Sequence, residues 1–532
     1  MTGRTVRPVG ERALLVECAD LGEVLGLHAA LTAEPLPGQA ELLAAARTLL
    51  VRVSDRAARD RLAPLLRELP APPAPPPTGS LVTIDTVYDG ADLAAVAELT
   101  GLSREGVVAA HSGQEWTAVF GGFAPGFAYL VGDDVLTVPR RATPRTAVPA
   151  GAVALAGSYS AVYPRSSPGG WQLVGRTDAR LWDLDREPPA LLRPGDRVRF
   201  RPVRERAQLR TDEPAAPPGG AHAPGSPSDA ASPPPHGALT VLAAGAQSLL
   251  QDLGRSGLLD LGVSPSGAAD RGSARQANRL VGNERAAAVV ETVPGGLELA
   301  ATGHQVLAVS GAPVPLTVLD DGEELAHPPT DAPFLLPDGH VLRLGPPAAG
   351  LRAYVAVRGG IAVPPVLGSR STDLLSGIGP PPLAAGSVLP VGPPPATAVG
   401  QPEPARVRAT GALQVGVLLG PRADRVTTES LRRLLDQEWT VTERSNRVGL
   451  RLDGTPLELA ERTELASEGT VAGAVQLPAD GRPVVFLADH PVTGGYPVLA
   501  VIRDTDLDAL AQARPGDRLR FLDACCGDEP QT

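Results

Sequence analysis

The sequence predicts a mainly β protein with α+β parts, in which tandem β-rich modules follow a small α/β domain at the N-terminus. Three observations predict this architecture: a repeat within the chain, many short apolar runs between turn residues, and Pro-rich segments that divide the sequence. At 532 residues the chain is too long for one hydrophobic core, so several domains are expected.

The internal repeat relates residues 150–200 to residues 472–521. Each stretch contains Ala-Gly-Ala-Val, then Gly-Gly-aromatic, then Asp-Leu-Asp, and ends in Pro-Gly-Asp-Arg before an alternating run. A Pro-Gly-Asp turn alone is a common hairpin pattern, but four landmarks in one order indicate two copies of a module. Residues 337–344 resemble the last landmark and predict a third module at about 239–400.

Short apolar runs bounded by Gly, Pro or Asp predict the strands of these modules. Many short strands with frequent turns are typical of a barrel or a sandwich. Strands are predicted at 13–17, 153–156, 172–174, 198–200, 306–309, 353–357 and 484–487, and helices near 38–48, 56–69, 273–281 and 428–435.

Pro-rich segments at 71–77, within 201–238 and at 390–404 set the expected domain boundaries. The second of them has no apolar period, which predicts an extended segment that buries nothing. The expected units are a small α/β domain at 1–70, a β-barrel at 80–203, a disordered Pro-rich linker at 204–237, and two further β-barrels at 238–400 and 405–525.

Composition excludes several classes of site. All 48 basic residues are Arg, so the chain carries no biotinyl-lysine, Schiff base or P-loop lysine. A net charge of −11 predicts no general affinity for nucleic acid or anionic lipid. The sequence has no run of eighteen apolar residues, so no membrane helix is predicted. An N-terminus without a signal peptide and only three cysteines favour a cytoplasmic location.

Two motifs in the first half are candidates for ligand binding. Arg140, Arg141 and Arg145 lie on a loop stiffened by two prolines, where guanidinium groups suit an anion. The run from Tyr163 to Trp171 is rich in Gly, Pro and Ser, and exposed backbone N–H groups at such turns cradle anions. Arg176, on the next predicted strand, is placed to face the same cleft. A solvated basic turn and a tight turn around a packed Trp are the alternatives.

The second half has its own candidates in residues 251–257 and 262–270. The chain contains only three Asn residues, so each has a raised chance of a specific hydrogen-bonding role. They are Asn278, Asn283 and Asn446. Helix capping or a left-handed turn is the alternative. The eight His residues lack metal-ligand spacing, and no Gly-x-Ser-x-Gly, dinucleotide-binding or P-loop motif occurs, so no metal ligands are assigned.

The same residues resemble a known family. Residues 120–130, 139–141, 148–151, 167–171 and 175–177 resemble the B subunit of bacterial ATP-dependent 5-oxoprolinase. Residues 251–255, 266–270, 445–447, 467–469, 474–476 and 493–496 resemble its C subunit, so two usually separate polypeptides are fused here. Similar modules, also called allophanate hydrolase subunits 1 and 2, occur in the carboxyltransferase part of urea carboxylase and in a Bacillus kinase inhibitor and its antagonist.

The resemblance implies cyclophilin-like β-barrels and an ATP-dependent opening of 5-oxo-L-proline to L-glutamate, with Mg²⁺ and a separate A-type subunit as partner. A homo-oligomer is also compatible with it. Two alternatives remain: a carboxyltransferase component whose biotin arrives on another protein, and a non-catalytic regulator of a kinase.

The resemblance and the motifs together nominate site residues. Asp270 and Asp489 are the candidates for Mg²⁺ binding or proton transfer. The candidates for binding substrate or nucleotide are Arg140, Arg145, Tyr163, Gly169, Gly170, Arg176, Gln251, Asp252, Arg255, Ser266, Asn278, Arg444, Asn446, Glu468, Gln476, Thr493, Gly494 and Gly495.

Overall fold

The structure, a computed structural model, describes residues 4–141, 143–204, 235–293, 295–404, 411–461, 463 and 465–524. It confirms a mainly β fold with tandem barrels behind an α/β domain. Most of the expected linker, residues 205–234, lies outside the described residues. In the part of the chain that is described, no helix is long and apolar enough to cross a membrane.

The N-terminal domain is a four-stranded antiparallel sheet with strand order β1-β2-β4-β3. Its elements are β1 (Val6–Pro8), β2 (Ala13–Glu17), α1 (Leu21–Ala33), β3 (Gln39–Ala44), β4 (Thr48–Val53) and α2 (Arg56–Glu68). Asp20 and Asp55 cap the two helices, each accepting a hydrogen bond from a backbone N–H of the first turn. The helices cover one face of the sheet, and the second barrel covers the other.

The helix predicted near 38–48 is wrong, because these residues form β3 and the start of β4. Leu42 and Leu49 pack under the helices, whereas Leu43 and Leu50 face the second barrel. A strand buried on both faces is apolar at every position and loses the alternation that identifies it. Helix α1 was not predicted, whereas α2 was.

The first barrel contains seven strands in the order β12-β9-β10-β7-β6-β13-β5. The elements are β5 (Leu81–Thr86), α3 (Leu93–Thr100), α4 (Arg104–Ser112), β6 (Trp116–Gly122), β7 (Ala124–Val131), β8 (Arg145–Val148), β9 (Ala152–Ala156), β10 (Tyr159–Val162), β11 (Ser167–Gly169), β12 (Gln172–Arg176) and β13 (Arg197–Pro202). The first and last strands pair in parallel, and a bridge between Val87 and Arg176 brings β12 back toward β5. Strands β8 and β11 form a separate two-stranded ribbon.

The second half begins with two sheets around one core, of six and five strands. The elements are β14 (Ala238–Ala244), β15 (Gln247–Gln251), α5 (Arg271–Leu280), β16 (Val289–Val293), β17 (Leu297–Thr302), β18 (Gln305–Gly311), β19 (Leu316–Asp320), β20 (Glu323–Ala326), β21 (Pro333–Leu336), β22 (Val341–Leu344), β23 (Ala353–Val357) and β24 (Val388–Pro390).

The unit predicted as a β-barrel at 238–400 consists of two sheets, and its strands do not repeat the pairing of the first barrel. In the first barrel the strand after the Pro-Gly-Asp turn pairs in parallel with the first strand, which joins the ends of the sheet. Strand β22 instead pairs antiparallel with both of its neighbours, and the turn before it crosses from one sheet to the other. Residues 337–344 are therefore not a third copy of the module.

The second barrel is closed, with strand order β25-β32-β29-β30-β27-β26-β33. The elements are β25 (Leu413–Leu419), α6 (Thr428–Asp436), β26 (Trp439–Val441), β27 (Gly449–Asp453), β28 (Glu468–Gly469), β29 (Ala474–Gln476), β30 (Val484–Phe486), β31 (Thr493–Gly494), β32 (Val498–Ile502), α7 (Leu507–Leu510) and β33 (Arg518–Asp523). Its first and last strands also pair in parallel, and β28 and β31 form a ribbon.

The predicted repeat is confirmed strand by strand. Each barrel has the same order of seven strands, the same parallel closure and a ribbon at the same two points of the chain. The Ala-Gly-Ala-Val glycines, Gly151 and Gly473, both adopt positive φ, at 77° and 81°. Trp116 and Trp439 open the second strand of each barrel and donate to the carbonyls of His111 and Leu434, at 2.9 and 3.1 Å.

Candidate functional site

A cavity of about 250 Å³ lies where the two halves of the chain meet. Ala46 comes from the N-terminal domain, and the loop 465–467 comes from the second barrel. The remaining lining residues belong to the first barrel: Tyr129, Pro139, Arg140, Ala156, Gly157, Tyr159 and Trp171. Neither half alone encloses this cavity.

Motif residues from both halves meet at this cavity. The Nη2 of Arg140 donates to the hydroxyl of Ser467 at 3.4 Å, and the Tyr129 hydroxyl lies 3.1 Å from the same Ser467 oxygen. A Cβ atom at Gly495 would lie 3.2 Å from the Nη1 of Arg140, so glycine lets the guanidinium lie against the backbone. Beside them, the Thr493 hydroxyl accepts a hydrogen bond from the Phe123 N–H at 2.8 Å.

The wall of the cavity is a cluster of aromatic rings. The chain has only 4 Trp, 6 Tyr and 7 Phe residues, yet seven of these pack together within the first barrel. They are Phe120, Phe123, Phe127, Tyr129, Tyr159, Tyr163 and Trp171. Burial raises the pKa of Tyr159 to about 12, so this hydroxyl stays protonated at neutral pH. The cluster gives the site a rigid wall with a few hydroxyl groups.

The three arginines of the predicted loop have different surroundings. Arg141 and Arg145 both bind the buried carboxylate of Asp92, with N–O distances of 2.5, 2.9 and 2.8 Å. Burial acts to raise the pKa of Asp92, but hydrogen bonds from Arg145 and from the Leu173 N–H hold it below its ordinary value. The fork of Arg145 is therefore directed at Asp92, and Arg140 is the arginine of this loop that lines the cavity.

The glycines of the Tyr163–Trp171 run shape a tight turn. A Cβ atom at Gly169 would lie 2.3 Å from the Tyr163 hydroxyl, so glycine makes room for the ring. The Gly170 carbonyl accepts a hydrogen bond from the Arg141 N–H at 2.7 Å. Arg176 donates to Asp89 at 2.8 Å and is not among the residues that line the cavity.

The carboxylates expected to be catalytic, Asp270 and Asp489, are buried, and both accept several hydrogen bonds from protein groups. Asp489 accepts bonds from Arg447 at 3.0 and 2.9 Å, from the Ser266 hydroxyl at 2.7 Å and from the Leu374 N–H at 3.1 Å. Arg447 also binds Glu291 and the Gly267 carbonyl. These contacts make Asp489 part of a buried ion-pair network.

Asp270 is the N-cap of α5. Its carboxylate accepts bonds from the Ser273 N–H and hydroxyl at 2.8 and 2.6 Å and from Gln512 at 2.7 Å. Among the described residues, no group of three or more His, Cys, Asp or Glu side chains is placed to hold a metal ion. The contacts of Asp270 and Asp489 thus do not fit a Mg²⁺ site.

The motif Gln251–Arg255 holds the segment 369–373. Asp252 accepts hydrogen bonds from the hydroxyl groups of Ser369 and Ser371, at 2.6 and 2.5 Å. Gln251 donates to the carbonyl of Thr372 at 2.9 Å, and the Ser266 hydroxyl oxygen lies 3.3 Å from the same carbonyl. Arg255 donates to the carbonyl of Ser371 at 2.6 Å. This group lies inside the second half.

Two other predicted residues, Asn278 and Asn446, stabilise turns. The Asn278 side chain donates to the Ala287 carbonyl at 2.7 Å and accepts from Asn283 at 3.0 Å, which ties together the loop after α5. Asn446 is exposed and accepts from the Val448 N–H at 2.8 Å, as in an Asx turn. Arg444 is exposed nearby. The structure does not bring these residues to the cavity.

Glu468 and Gln476 support the interface beneath the cavity. Arg422 donates to Glu468 at 3.1 and 3.0 Å and also binds Glu17 of the N-terminal domain, so this ion-pair cluster joins the two halves. Gln476 donates to the Tyr496 carbonyl at 3.0 Å. A Cβ atom at Gly494 would lie 2.7 Å from the Gln476 amide nitrogen, which explains the glycine.

Sequence reasoning missed Tyr129 and Ser467 as site residues. Both lie within segments that carry the family resemblance, but nothing in the sequence shows that their side chains touch across the halves.

Comparison with known proteins gives each half a family. The family described as carboxyltransferase domain, subdomain C and D, matches residues 4–192, and subdomain A and B matches residues 261–523. The C subunit of 5-oxoprolinase from Escherichia coli K12 is 35% identical over 293 residues, which is 53% of this chain and 90% of that protein. The B subunit from Escherichia coli O157:H7 is 43% identical over 176 residues, which is 32% of this chain and 78% of that protein.

Solved structures resemble the chain as well. The crystal structure of TTHA0988 has a TM-score of 0.81 and 36% identity, and the match covers 96% of this chain and all of that one. The urea carboxylase of Kluyveromyces lactis has a TM-score of 0.51 and 31% identity, covering 56% of this chain and 28% of that one. The chain therefore belongs to the carboxyltransferase-domain family that includes the B and C subunits of 5-oxoprolinase, and it joins these two parts in one polypeptide.

Proposed function

We propose that the chain is a component of an ATP-dependent 5-oxoprolinase, which opens 5-oxo-L-proline to L-glutamate together with a separate A-type subunit. One observation carries the proposal. Relatives of both halves are named as 5-oxoprolinase subunits, and here the two halves jointly enclose a cavity in which Arg140 contacts Ser467.

The chemistry of the cavity suits an anionic cyclic amide. An unstrained lactam is a poor electrophile, and phosphorylation by ATP would turn its oxygen into a good leaving group. The Arg140 guanidinium offers the positive charge that a substrate carboxylate or a transferred phosphate needs. The Tyr129 and Ser467 hydroxyl groups offer neutral hydrogen bonds, and the aromatic wall offers an apolar surface on which a small ring can pack.

The test is the release of glutamate and phosphate from 5-oxo-L-proline and ATP, measured with and without the A-type subunit. The proposal expects slow ATP turnover by the chain alone and a strong rise in glutamate formation when the partner is added. No glutamate with either preparation would refute it, and full activity of the chain alone would remove the role of the partner.

A carboxyltransferase component is the second candidate. Its support is the similarity to the urea amidolyase of Saccharomyces cerevisiae, 31% identical over 313 residues, and to the urea carboxylase structure. Because the chain has no Lys, the biotin would have to be carried by another protein. Transfer of a carboxyl group from carboxybiotin to urea, in place of glutamate formation, would support this candidate.

A further inference from the structure

The cavity between the two halves is small and has one charged group in its lining. Its volume of about 250 Å³ equals the space that roughly eight water molecules occupy in the liquid, at about 30 Å³ each. Sites for drug-sized ligands usually measure about 300–1,000 Å³. Among the described residues that line the cavity, Arg140 alone has a charged side chain. These properties fit a single small ring with one anionic group.

Small side chains from three parts of the chain line the cavity beside the aromatic rings. Ala46 lies in the turn between β3 and β4, Ala156 ends strand β9, and Ala466 lies on the loop 465–467. Ala466 is exposed, whereas Ala46 is only 6% exposed. Ala156 belongs to a barrel strand that has a counterpart in the second barrel, but Ala46 comes from the N-terminal domain. On this side, the space for a ligand therefore depends on a domain outside the duplicated barrels.

The turn that carries Ala46 is fixed by backbone hydrogen bonds. The Ala45 N–H donates to the Thr48 carbonyl at 2.9 Å, which closes the turn. The next carbonyl in the turn, that of Arg47, accepts a hydrogen bond from the Cys18 N–H at 2.9 Å. The turn is thus held both within itself and from the neighbouring strand end, so it cannot move to make room for a larger side chain at position 46.

The sheet behind this turn is packed directly on the ribbon of the second barrel. A Cβ atom at Gly469 would lie 2.7 Å from the Cβ of Leu50, so the two backbones approach as closely as glycine permits. Gly469 pairs with Thr493 in the ribbon and follows Ser467 of the cavity by two residues. Because closely packed layers do not shift to absorb added volume, extra atoms at position 46 would take space from the cavity.

We infer that Ala46 is a specificity-determining residue, whose methyl group limits the size of the ring that the cavity accepts. The site then takes a five-membered lactam with one carboxylate in preference to its six-membered homologue. Identifying the smaller ligand as 5-oxo-L-proline rests on the proposed function. One added methylene in a filled pocket changes recognition by about ten- to two-hundredfold, so a single methyl group is enough to set this preference.

The same dimensions exclude a nucleotide from the cavity. ATP has several times the volume of a small lactam and carries several negative charges, which the single guanidinium of Arg140 does not balance. The inference therefore separates the two ligands of the proposed reaction: a change at Ala46 acts on the lactam and leaves the affinity for ATP unchanged.

Equilibrium binding to the full chain tests the role of Ala46. Calorimetry would use three probes: 5-oxo-L-proline, 6-oxo-L-pipecolate, which is its six-membered homologue, and ATP. We expect the wild type to bind the smaller lactam about tenfold or more tightly than the larger one. Ala46→Gly frees the space of a methyl group and is expected to reduce this preference by about threefold or more. Ala46→Val is expected to weaken binding of 5-oxo-L-proline by about tenfold, without an effect on ATP.

A matched control separates cavity size from stability. Leu62 of helix α2 is 1% exposed, packs in the core of the same domain and is not among the described residues that line the cavity. Leu62→Ala is expected to lower Tm and to leave the preference for the smaller lactam as in the wild type. A changed preference in this control would show that loss of stability, and not the space at position 46, alters recognition.

The outcomes separate this inference from the proposed function. Equal affinity of the wild type for both lactams, or an unchanged preference in Ala46→Gly, would overturn the inference even if Ala46→Val fails to fold. Glutamate formation with the A-type subunit would in that case leave the function intact. Weaker ATP binding in Ala46→Val with intact lactam binding would assign the cavity to the nucleotide and overturn the inference. A wild type that neither binds 5-oxo-L-proline nor forms glutamate would refute both proposals.

Discussion

At the scale of single residues, neighbouring arginines of one loop do different work. Arg141 and Arg145 are held by the buried carboxylate of Asp92, whereas Arg140 contacts Ser467 across the interface. In a chain where every basic residue is Arg, identity alone cannot separate an ion pair from a ligand contact. The group that each guanidinium contacts in the folded chain distinguishes the two roles.

Substitution of Arg140 tests its place in the cavity. A bidentate contact with an anion needs the planar fork, so Arg140→Lys is expected to lose nearly as much activity as Arg140→Ala. The loss of one charge-assisted bond costs roughly 1.5–3 kcal/mol, or about ten- to a hundredfold in kcat/KM. Glutamate formation with the partner subunit measures it, alongside Tm. A stable Arg140→Ala protein with wild-type kinetics would remove Arg140 from the site.

Substitution of Arg145 is expected to lower stability and to leave substrate binding unchanged. Removing it leaves Asp92, whose side chain is 4% exposed, short of a partner. We expect Arg145→Ala to lower the free energy of unfolding by about 1–3 kcal/mol without a specific rise in KM. Arg176→Ala is the matched control, because its ion pair with Asp89 is about half exposed and contributes little. A large rise in KM at unchanged Tm would return Arg145 to the binding site.

The buried carboxyl group of Asp373 is expected to make stability depend on pH. Burial and the charge of Asp489 raise the pKa of Asp373 from 3.8 to about 6, against the opposing charge of Arg255. The folded protein then binds its proton more tightly than the unfolded chain does, so stability from this group is lost as the pH rises from about 4 to 6. Asp373→Asn is expected to raise the free energy of unfolding at pH 8 by up to about 3 kcal/mol, with little change at pH 4. Thermal unfolding at the two pH values measures the difference. An equal effect at both pH values would contradict this account.

At the scale of elements, the two barrels show what a sequence repeat preserves. Strand order, parallel closure and ribbon positions are shared, although few residues besides the turns match. The glycines stay because the backbone needs positive φ at Gly151 and Gly473. The two ribbons differ in their surroundings: one carries the turn beside Tyr163, and the other carries Thr493 of the interface.

The ribbon glycine of the first barrel makes a testable contact. Gly169→Ala places a methyl group 2.3 Å from the Tyr163 hydroxyl in the unrelaxed structure. We expect a loss of about 1–3 kcal/mol in stability, because the ring is packed by Phe127 and cannot move freely. Tyr163→Phe removes the hydroxyl and is expected to recover part of the loss in the double variant. Thermal unfolding measures the cycle, and additive effects would show that the contact is not the cause.

The limits of prediction follow from what local patterns encode. The predicted strands and the duplicated module were correct because turns and alternation are local. The stretch around Leu43 and Leu50 was misassigned because the second barrel buries the other face of that sheet, which no local pattern shows. The site differed from the prediction for the same reason: Arg140 was identified from its loop, but Ser467 reaches the cavity only through a contact between the halves.

At the scale of the whole molecule, the two halves behave as fused subunits. Their interface combines an apolar surface, where Leu15 and Leu50 meet Phe486 and Val501, with the buried ion pairs of Arg422. The cavity draws residues from each half. Association of the halves is therefore a condition for this site, whichever chemistry it serves.

Cutting the chain between residues 212 and 236 tests this dependence. With a protease site placed there, we expect the two parts to coelute on a sizing column at micromolar concentration, because the buried contacts do not pass through the linker. Leu50→Arg is the matched variant: it puts a charge into the apolar surface and is expected to make the cut parts separate. Circular dichroism of the uncut variant shows whether its halves still fold. Separation of the cut wild-type protein would mean that the linker, and not the interface, holds the cavity together.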